Sequence, residues 1–252
     1  MDRVEELHAA IDERPDDAAS YLVLADLLQQ QGDPRGEVIA LWAAETVFGT
    51  RLARARTLGP PPPRTGDVDW FYGYVRSFRT YLDEDDDDVL RAFLNHPSLR
   101  HATEMVFKLG GSSDIDREWL VPAIASQPRA ACRILEIDSY LNRGNDPPEG
   151  VVDLTLLWDA LPRITSLVVH AREITLGALR SPTLTSLELD GRVDSKELAP
   201  LLAHSLPALR ELVLPDTDPQ FEAAIARAGL RAQLTKLVVT AADADRYEQT
   251  GE

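Results

Sequence analysis

The sequence predicts an α/β chain: a small N-terminal helical domain followed by an irregular solenoid, with a parallel sheet on its concave face and helices outside. Three observations predict it. Apolar residues recur at helical spacing in the first part of the chain, four consecutive prolines from Pro60 to Pro63 interrupt it, and an apolar-x-x-apolar-x-apolar pattern then repeats toward the C-terminus. These divide the chain into a helical domain at 1–58, a proline-rich linker at 59–69 and a solenoid at 70–252, whose residues 70–100 form an N-terminal cap.

The helical part comes first. Leu7, Ala10 and Ile11 lie at helical spacing before Pro15, and Tyr21, Leu22, Leu24, Ala25, Leu27 and Leu28 form a second amphipathic run. Pro15-Asp16-Asp17 between them supplies a breaker and carboxylates for the positive end of the second helix. The stretch QGDPRGE, Gln31 to Glu37, reads as a corner: Gly32 takes the left-handed conformation that closes a helix, Asp33 caps the next and Pro34 fills its first turn. A third helix follows through Val38, Ile39, Leu41, Trp42 and Val47, toward the basic stretch Arg51 to Arg56. Arg35 and Glu37 are left at the corner as a secondary contact surface.

Gly59 to Asp69 cannot continue a helix and favours an extended spacer. Trp70, Phe71, Tyr72, Tyr74, Phe78 and Tyr81 follow within a dozen residues, and a capping strand is the expected use of them. Base stacking by these rings is opposed by six acidic residues in a row, Asp83 to Asp88. That run lacks the alternating ligands and the glycine of a calcium loop, and it decorates the start of a helix carrying Val89, Leu90, Phe93 and Leu94.

The repeat carries most of the information. Its copies are Cys132-x-x-Leu135-x-Ile137, Ile164-x-x-Leu167-x-Val169, Leu184-x-x-Leu187-x-Leu189, Leu209-x-x-Leu212-x-Leu214 and Leu234-x-x-Leu237-x-Val239, with a looser Ala102-x-x-Met105-x-Phe107 ahead of them. Starts at 102, 132, 164, 184, 209 and 234 are 30, 32, 20, 25 and 25 residues apart, and the last three intervals fall in the leucine-rich-repeat range. DREWLVPAIAS, SKELAPLLAHS and PQFEAAIARAG between strands have helical character. Strand, turn and helix stacked in this way bury each unit's apolar face against the next.

Two stretches resemble a known family. AIDERPDDAASYLVLADLLQQQGDPRGEVIALW, over about residues 5 to 45, resembles the bacterial repeat-companion domain, of myxobacterial type, that precedes leucine-rich repeats. Leu27 and Gln29 stand where that family usually has Trp and Glu. GYVRSFRTY and FLNHPSLRHATEMVFKL, within 73–109, resemble the strand and helix that open the repeat array in such proteins. The resemblance implies a fold and no activity. Tyr140, Arg172, Arg192 and Ala242 occupy the place where an asparagine ladder usually stands, which implies irregular curvature.

Composition bounds the function. The chain has 252 residues, with 26 basic and 42 acidic ones and a formal charge of −16, so neither nucleic acid nor an anionic membrane surface is an expected partner. The acidic, interrupted start MDRVEELHAAIDERP does not resemble a secretory signal, no apolar stretch is long enough for a membrane span, and a single cysteine excludes an internal disulfide. A cytoplasmic, monomeric protein is expected. No nucleophile elbow, phosphate loop, paired histidines or clustered cysteines are present, so no catalytic residue, metal ligand or cofactor is assigned. The sole enzymatic candidates are the Gly110 to Asp114 turn and His101, and the proline corner holding His96 and His101 is a poor metal site. Cys132 fills an apolar repeat position and is expected to be a buried packing residue.

The repeat register makes one functional statement. Residues between the apolar positions alternate to the opposite, concave face. They include Glu136, Asp138, Glu188, Asp190 and Glu211 as an acidic middle, His170 among them, and Val168 and Val213 as an apolar stripe that continues to Val238. The expected function is a non-catalytic adaptor that binds a protein with a basic and apolar contact surface. The alternative is a structural or self-assembling protein that uses the aromatic cap or the open end near Leu234 to Thr240.

Overall fold

The computed structural model describes residues 2–44, 66–82, 87–109, 118–139, 150–193, 206–217 and 230–241. Three helices open the chain. Helix α1 (Arg3–Glu13) begins at Asp2, and α2 (Ala18–Gln30) begins at Asp17, whose carboxylate accepts from the Ala19 amide at 3.2 Å and the Ser20 hydroxyl at 2.8 Å. Each carboxylate satisfies amides that the first helical turn leaves without partners.

The Gln31 to Glu37 corner folds as its residues require. Gly32 has φ 74°, and Asp33 accepts from the Arg35 amide at 2.9 Å at the start of α3 (Pro34–Ala44). Gly36 adds a packing role. A Cβ built on it would stand 2.7 Å from both the Ala25 carbonyl oxygen and the Gln29 amide nitrogen, so α2 and α3 meet backbone to backbone.

A hairpin then starts the sheet. Strands β1 (Gly66–Phe71) and β2 (Tyr74–Leu82) are antiparallel and joined at Tyr72-Gly73, both at positive φ, as the twist of a two-residue hairpin demands. Gly66 to Asp69, expected as the tail of the linker, are therefore the first residues of a strand, and the prolines lie outside the described residues. After α4 (Asp87–Leu94) come β3 (Glu104–Leu109), α5 (Leu120–Ala125), β4 (Ile134–Asp138), β5 (Val151–Asp153) and α6 (Leu157–Ala160). The chain continues through β6 (Ser166–Thr175), β7 (Ser186–Val193), β8 (Glu211–Thr217), α7 (Leu230–Gln233) and β9 (Lys236–Ala241).

The result is a nine-stranded sheet in the order β1-β2-β3-β4-β6-β7-β8-β9, with β5 on the outer half of β6 and every pairing after the first hairpin parallel. The central apolar positions align across it: Phe78, Met105, Leu135, Leu167, Leu187, Leu212 and Leu237 are neighbours in turn. Phe78 belongs to a copy of the pattern that the sequence hides. Val75-x-x-Phe78-x-Thr80 ends in a polar residue, yet Thr80 is buried as deeply as its apolar counterparts.

One apolar core lies along a single face of the sheet, where Leu90, Phe93, Leu120, Ile124, Leu157 and Trp158 of the helices meet the strand residues. Cys132 is fully buried there and burial pushes its thiol up to about 12, so it packs as an apolar residue. The helical stretches expected at 195–205 and 219–229 lie outside the described residues.

A ladder of hydrogen bonds crosses the sheet at the N-terminal ends of the strands. The residues just before β3, β4, β6, β7, β8 and β9 are Thr103, Arg133, Thr165, Thr185, Arg210 and Thr235, and each donates its amide to the equivalent carbonyl of the preceding strand at 2.7–2.8 Å. Each threonine adds its hydroxyl to the same carbonyl: Thr103 to Arg76 at 3.0 Å, Thr165 to Arg133 at 3.0 Å, Thr185 to Thr165 at 2.9 Å and Thr235 to Arg210 at 3.1 Å. The two arginines instead turn back on their own corners, Arg133 to the Ala130 and Cys132 carbonyls and Arg210 to those of Pro207 and Leu209.

The N-terminal helices dock at this corner end. Tyr21, Leu24, Leu28 and Ile39 form a second apolar cluster with Tyr74, against which Phe71 and Tyr72 pack, while Val38 and Trp42 of α3 reach into the main core. The rings concentrated beside the prolines are largely consumed internally, with Trp70, Tyr74 and Phe78 buried.

Candidate binding face

Alternation along each strand divides the sheet into a core face and a polar face. Three rows run across the polar face, perpendicular to the strands. The first is Ser77, Glu104, Ile134, Ser166, Ser186, Glu211 and Lys236; the second is Arg79, Val106, Glu136, Val168, Glu188, Val213 and Val238; the third is Tyr81, Lys108, Asp138, His170 and Asp190. Glu136, Asp138, Val168, His170, Glu188, Asp190, Glu211 and Val213 all lie in these rows, and every one is half-buried. The parallel register thus brings all eight onto one surface.

Their charges are less free than the sequence suggests. Lys108 bonds the Glu136 carboxylate on the next strand and donates to Asp138 at 2.7 Å. Burial lowers the Lys108 ammonium, but the bonds to Asp138 and Glu136 outweigh it and hold its pKa above the usual value. His170 stands between two carboxylates, with Nδ1 3.5 Å from Asp138 and Nε2 3.3 Å from Glu188. Burial disfavours its charge, yet Asp138, Glu188 and the nearby Asp190 together raise its pKa. At the far side the Ser186 hydroxyl is 3.4 Å from Glu211. The face is a strip that is basic at Arg79 and Lys108 and acidic from Glu136 to Glu211, with Val168 and Val213 spaced between the carboxylates.

The secondary candidates fare differently. Arg35 folds onto Asp33, with Nε donating at 3.0 and 3.1 Å and Nη2 at 2.5 Å, so its guanidinium serves the helix corner. Glu37 is exposed on α3. His96 caps the short helical turn at Pro97–Leu99, with Nδ1 2.8 Å from the Ser98 hydroxyl. His101 points elsewhere. Its Nδ1 is 2.7 Å from Asp12 and its Nε2 is 2.9 Å from Nδ1 of His8, both rings being buried. The two histidines near one another in sequence are thus used separately, and among the described residues no group of three or more His, Cys, Asp or Glu is arranged to hold a metal ion. The turn at Gly110 to Asp114 lies outside the described residues.

A second polar constellation emerges where α1 and α2 meet the strand corners. Glu5 pairs with Arg100 at 2.5 Å, Asp16 with Arg76 at 2.7 Å and Glu13 with Arg163 at 2.9 Å, while Arg133 donates to the Asp12 carbonyl at 2.9 Å. Three carboxylates and one main-chain carbonyl of the N-terminal segment thus meet four arginines. Sequence reasoning missed these contacts because each pair joins residues at least sixty positions apart.

No family model matches the chain, and no curated protein matches it. Among solved structures, the crystal structure of a Bacteroides fragilis protein, a structural-genomics target, is similar over 64% of this chain and 50% of its own, at 16% identity and a TM-score of 0.48. The chain spans about half the length of that protein. Among the described residues, no helix is long and apolar enough to cross a membrane.

Proposed function

We propose that the chain is a non-catalytic protein-binding module: a leucine-rich-repeat solenoid, headed by a repeat-companion helical domain, whose polar sheet face is the concave surface that captures a protein partner. The observation that supports this reading is the alignment of Glu136, Val168, Glu188 and Val213 in one cross-strand row, with Asp138, His170 and Asp190 alongside. Cross-strand neighbours stand about 4.8 Å apart, so carboxylates and valines alternate on a regular lattice. A partner presenting basic side chains around an apolar centre fits it. The aromatic cap contributes little to the self-assembly alternative, because Trp70, Tyr74 and Phe78 are used in the cores.

The experiment is affinity capture from the source organism's lysate, comparing the native chain with Glu188→Lys, Asp190→Lys, Glu211→Lys. These three leave the Lys108 bridge untouched. A protein held by the native chain and released by the folded variant supports the reading; identical capture by both overturns it.

A further inference from the structure

Helix α1 is held on the sheet by a buried chain of polar groups that no part of the proposed binding face uses. Asp12 and His8 lie on α1, one helical turn apart, and His101 lies in the segment just before β3. The Asp12 carboxylate accepts from His101 Nδ1 at 2.7 Å, and the two histidines meet nitrogen to nitrogen at 2.9 Å. This geometry restricts the protons. With His101 neutral and its hydrogen on Nδ1, its Nε2 accepts from His8 Nδ1, and the 2.9 Å contact has room for one hydrogen between the two rings. One added proton would make an imidazolium, with Asp12 as its counter-charge, in a site where His8 is 3% and His101 1% exposed; a second would set two N–H donors against each other.

We propose that Asp12, His101 and His8 form a proton-operated latch that holds α1 against the sheet at neutral pH and lets it go in mild acid.

The surroundings oppose charging on balance. Tyr74 of β2 packs its ring edgewise on both histidines, with centroids at 6.3 Å from His8 and 4.8 Å from His101, and Tyr21 of α2 packs edgewise on His101 at 6.0 Å. Arg100, beside His101, disfavours a positive charge at either ring and Arg35 of α3 disfavours one at His8; Glu5 of α1 favours charge at both, and Asp12 favours it at His101. Burial prevails over both. It is the largest cause acting on each ring, holding His8 down to about 3 and depressing His101 as well. Once α1 has left, both rings meet water and take protons near the ordinary histidine value of about 6.5. The released state then binds more protons than the docked one, so docking is strongest above that pH and weakens as pH falls below it. Release also strips Arg100 of Glu5 and Arg163 of Glu13, and frees Arg133 from the Asp12 carbonyl, so that basic groups are bared on an otherwise acidic molecule.

The test is hydrogen exchange on the full chain at pH 7.5, 6.5 and 5.5, corrected for the intrinsic pH dependence of exchange, reading α1 amides against those of β4 and β6. Two protons taken up on release predict an α1 opening equilibrium that rises about 100-fold between pH 7.5 and 5.5, with the sheet unchanged. His8→Gln, whose amide can still donate to His101, should cut the rise to about tenfold. An unchanged α1, an equal rise in α1 and sheet, or a full rise in the variant overturns the latch. Ring NMR of the unaltered chain gives an answer that does not depend on the variant folding: His8 or His101 titrating near pH 6.5 while α1 stays protected also overturns it.

Discussion

Arg129 donates through Nη2 to the Leu94 carbonyl at 2.6 Å, joining the last residue of α4 to the segment after α5 across 35 residues of sequence. The same guanidinium donates to the carbonyls of Ile124 at 3.0 Å and Leu99 at 3.4 Å, and the residue is fully buried. Desolvation lowers its pKa to about 10, so the charge persists at neutral pH with no carboxylate bonded to it among the described residues. Three carbonyls at the ends of helical turns serve instead.

Replacing Arg129 with Met removes those donors and strands buried acceptors, at about 1–3 kcal/mol for each that water does not reach. Urea unfolding should show a loss above about 2 kcal/mol, with Arg129→Lys falling between Met and the native residue. A Met variant as stable as the native chain would mean that the charge costs as much to bury as its bonds return.

Gly36→Ala tests the helix corner. The methyl must displace the Ala25 carbonyl or the Gln29 backbone, neither of which is a flexible chain end, and overpacking of this kind costs about 1–3 kcal/mol. Gln30→Ala at the exposed end of α2 should change stability by less than about 0.5 kcal/mol. Thermal or urea unfolding of the two variants makes the comparison.

Thr165→Val tests the corner ladder while keeping side-chain shape. The variant loses the 3.0 Å bond to the Arg133 carbonyl, which still accepts the amides of residues 165 and 166, so a loss of about 1 kcal/mol is expected. Denaturant unfolding reads it directly.

His170 gives the polar face a pH signature opposite in sign to that of the His8 and His101 pair. Its pKa is raised in the folded chain, so the stability it contributes is fully present below the unfolded value near 6.5 and is lost as pH rises through the higher folded value. The His170 ring should titrate above pH 6.5 by NMR, and His170→Gln should remove that part of the pH dependence of unfolding. A midpoint at or below the ordinary value would separate His170 from Asp138 and Glu188.

Much of the sheet was legible because one signal dominated it. A buried strand face needs apolar residues at alternate positions, and the copies beginning at Cys132, Ile164, Leu184, Leu209 and Leu234 supply them in register. Strand β5 and helix α6 were missed because they lie in the long interval between the copies at 132 and 164, and β5 offers only three residues. The eight face residues followed from alternation alone, but the bridge from Lys108 to Asp138 required knowing that adjacent strands are aligned without offset. No spacing rule could have found Asp12, His101 and His8, since their juxtaposition depends on where α1 docks.

The corner ladder has a consequence for how such a chain can change its length. Each new strand brings the amide, and often the hydroxyl, that completes the carbonyl before it, and leaves one carbonyl for its successor. A whole unit beginning with threonine can therefore be duplicated or removed without orphaning a polar group at the seam. Inheritance by unit, with arginine tolerated where it can fold back on its own corner, would let a lineage vary the breadth of this surface while the joints stay the same.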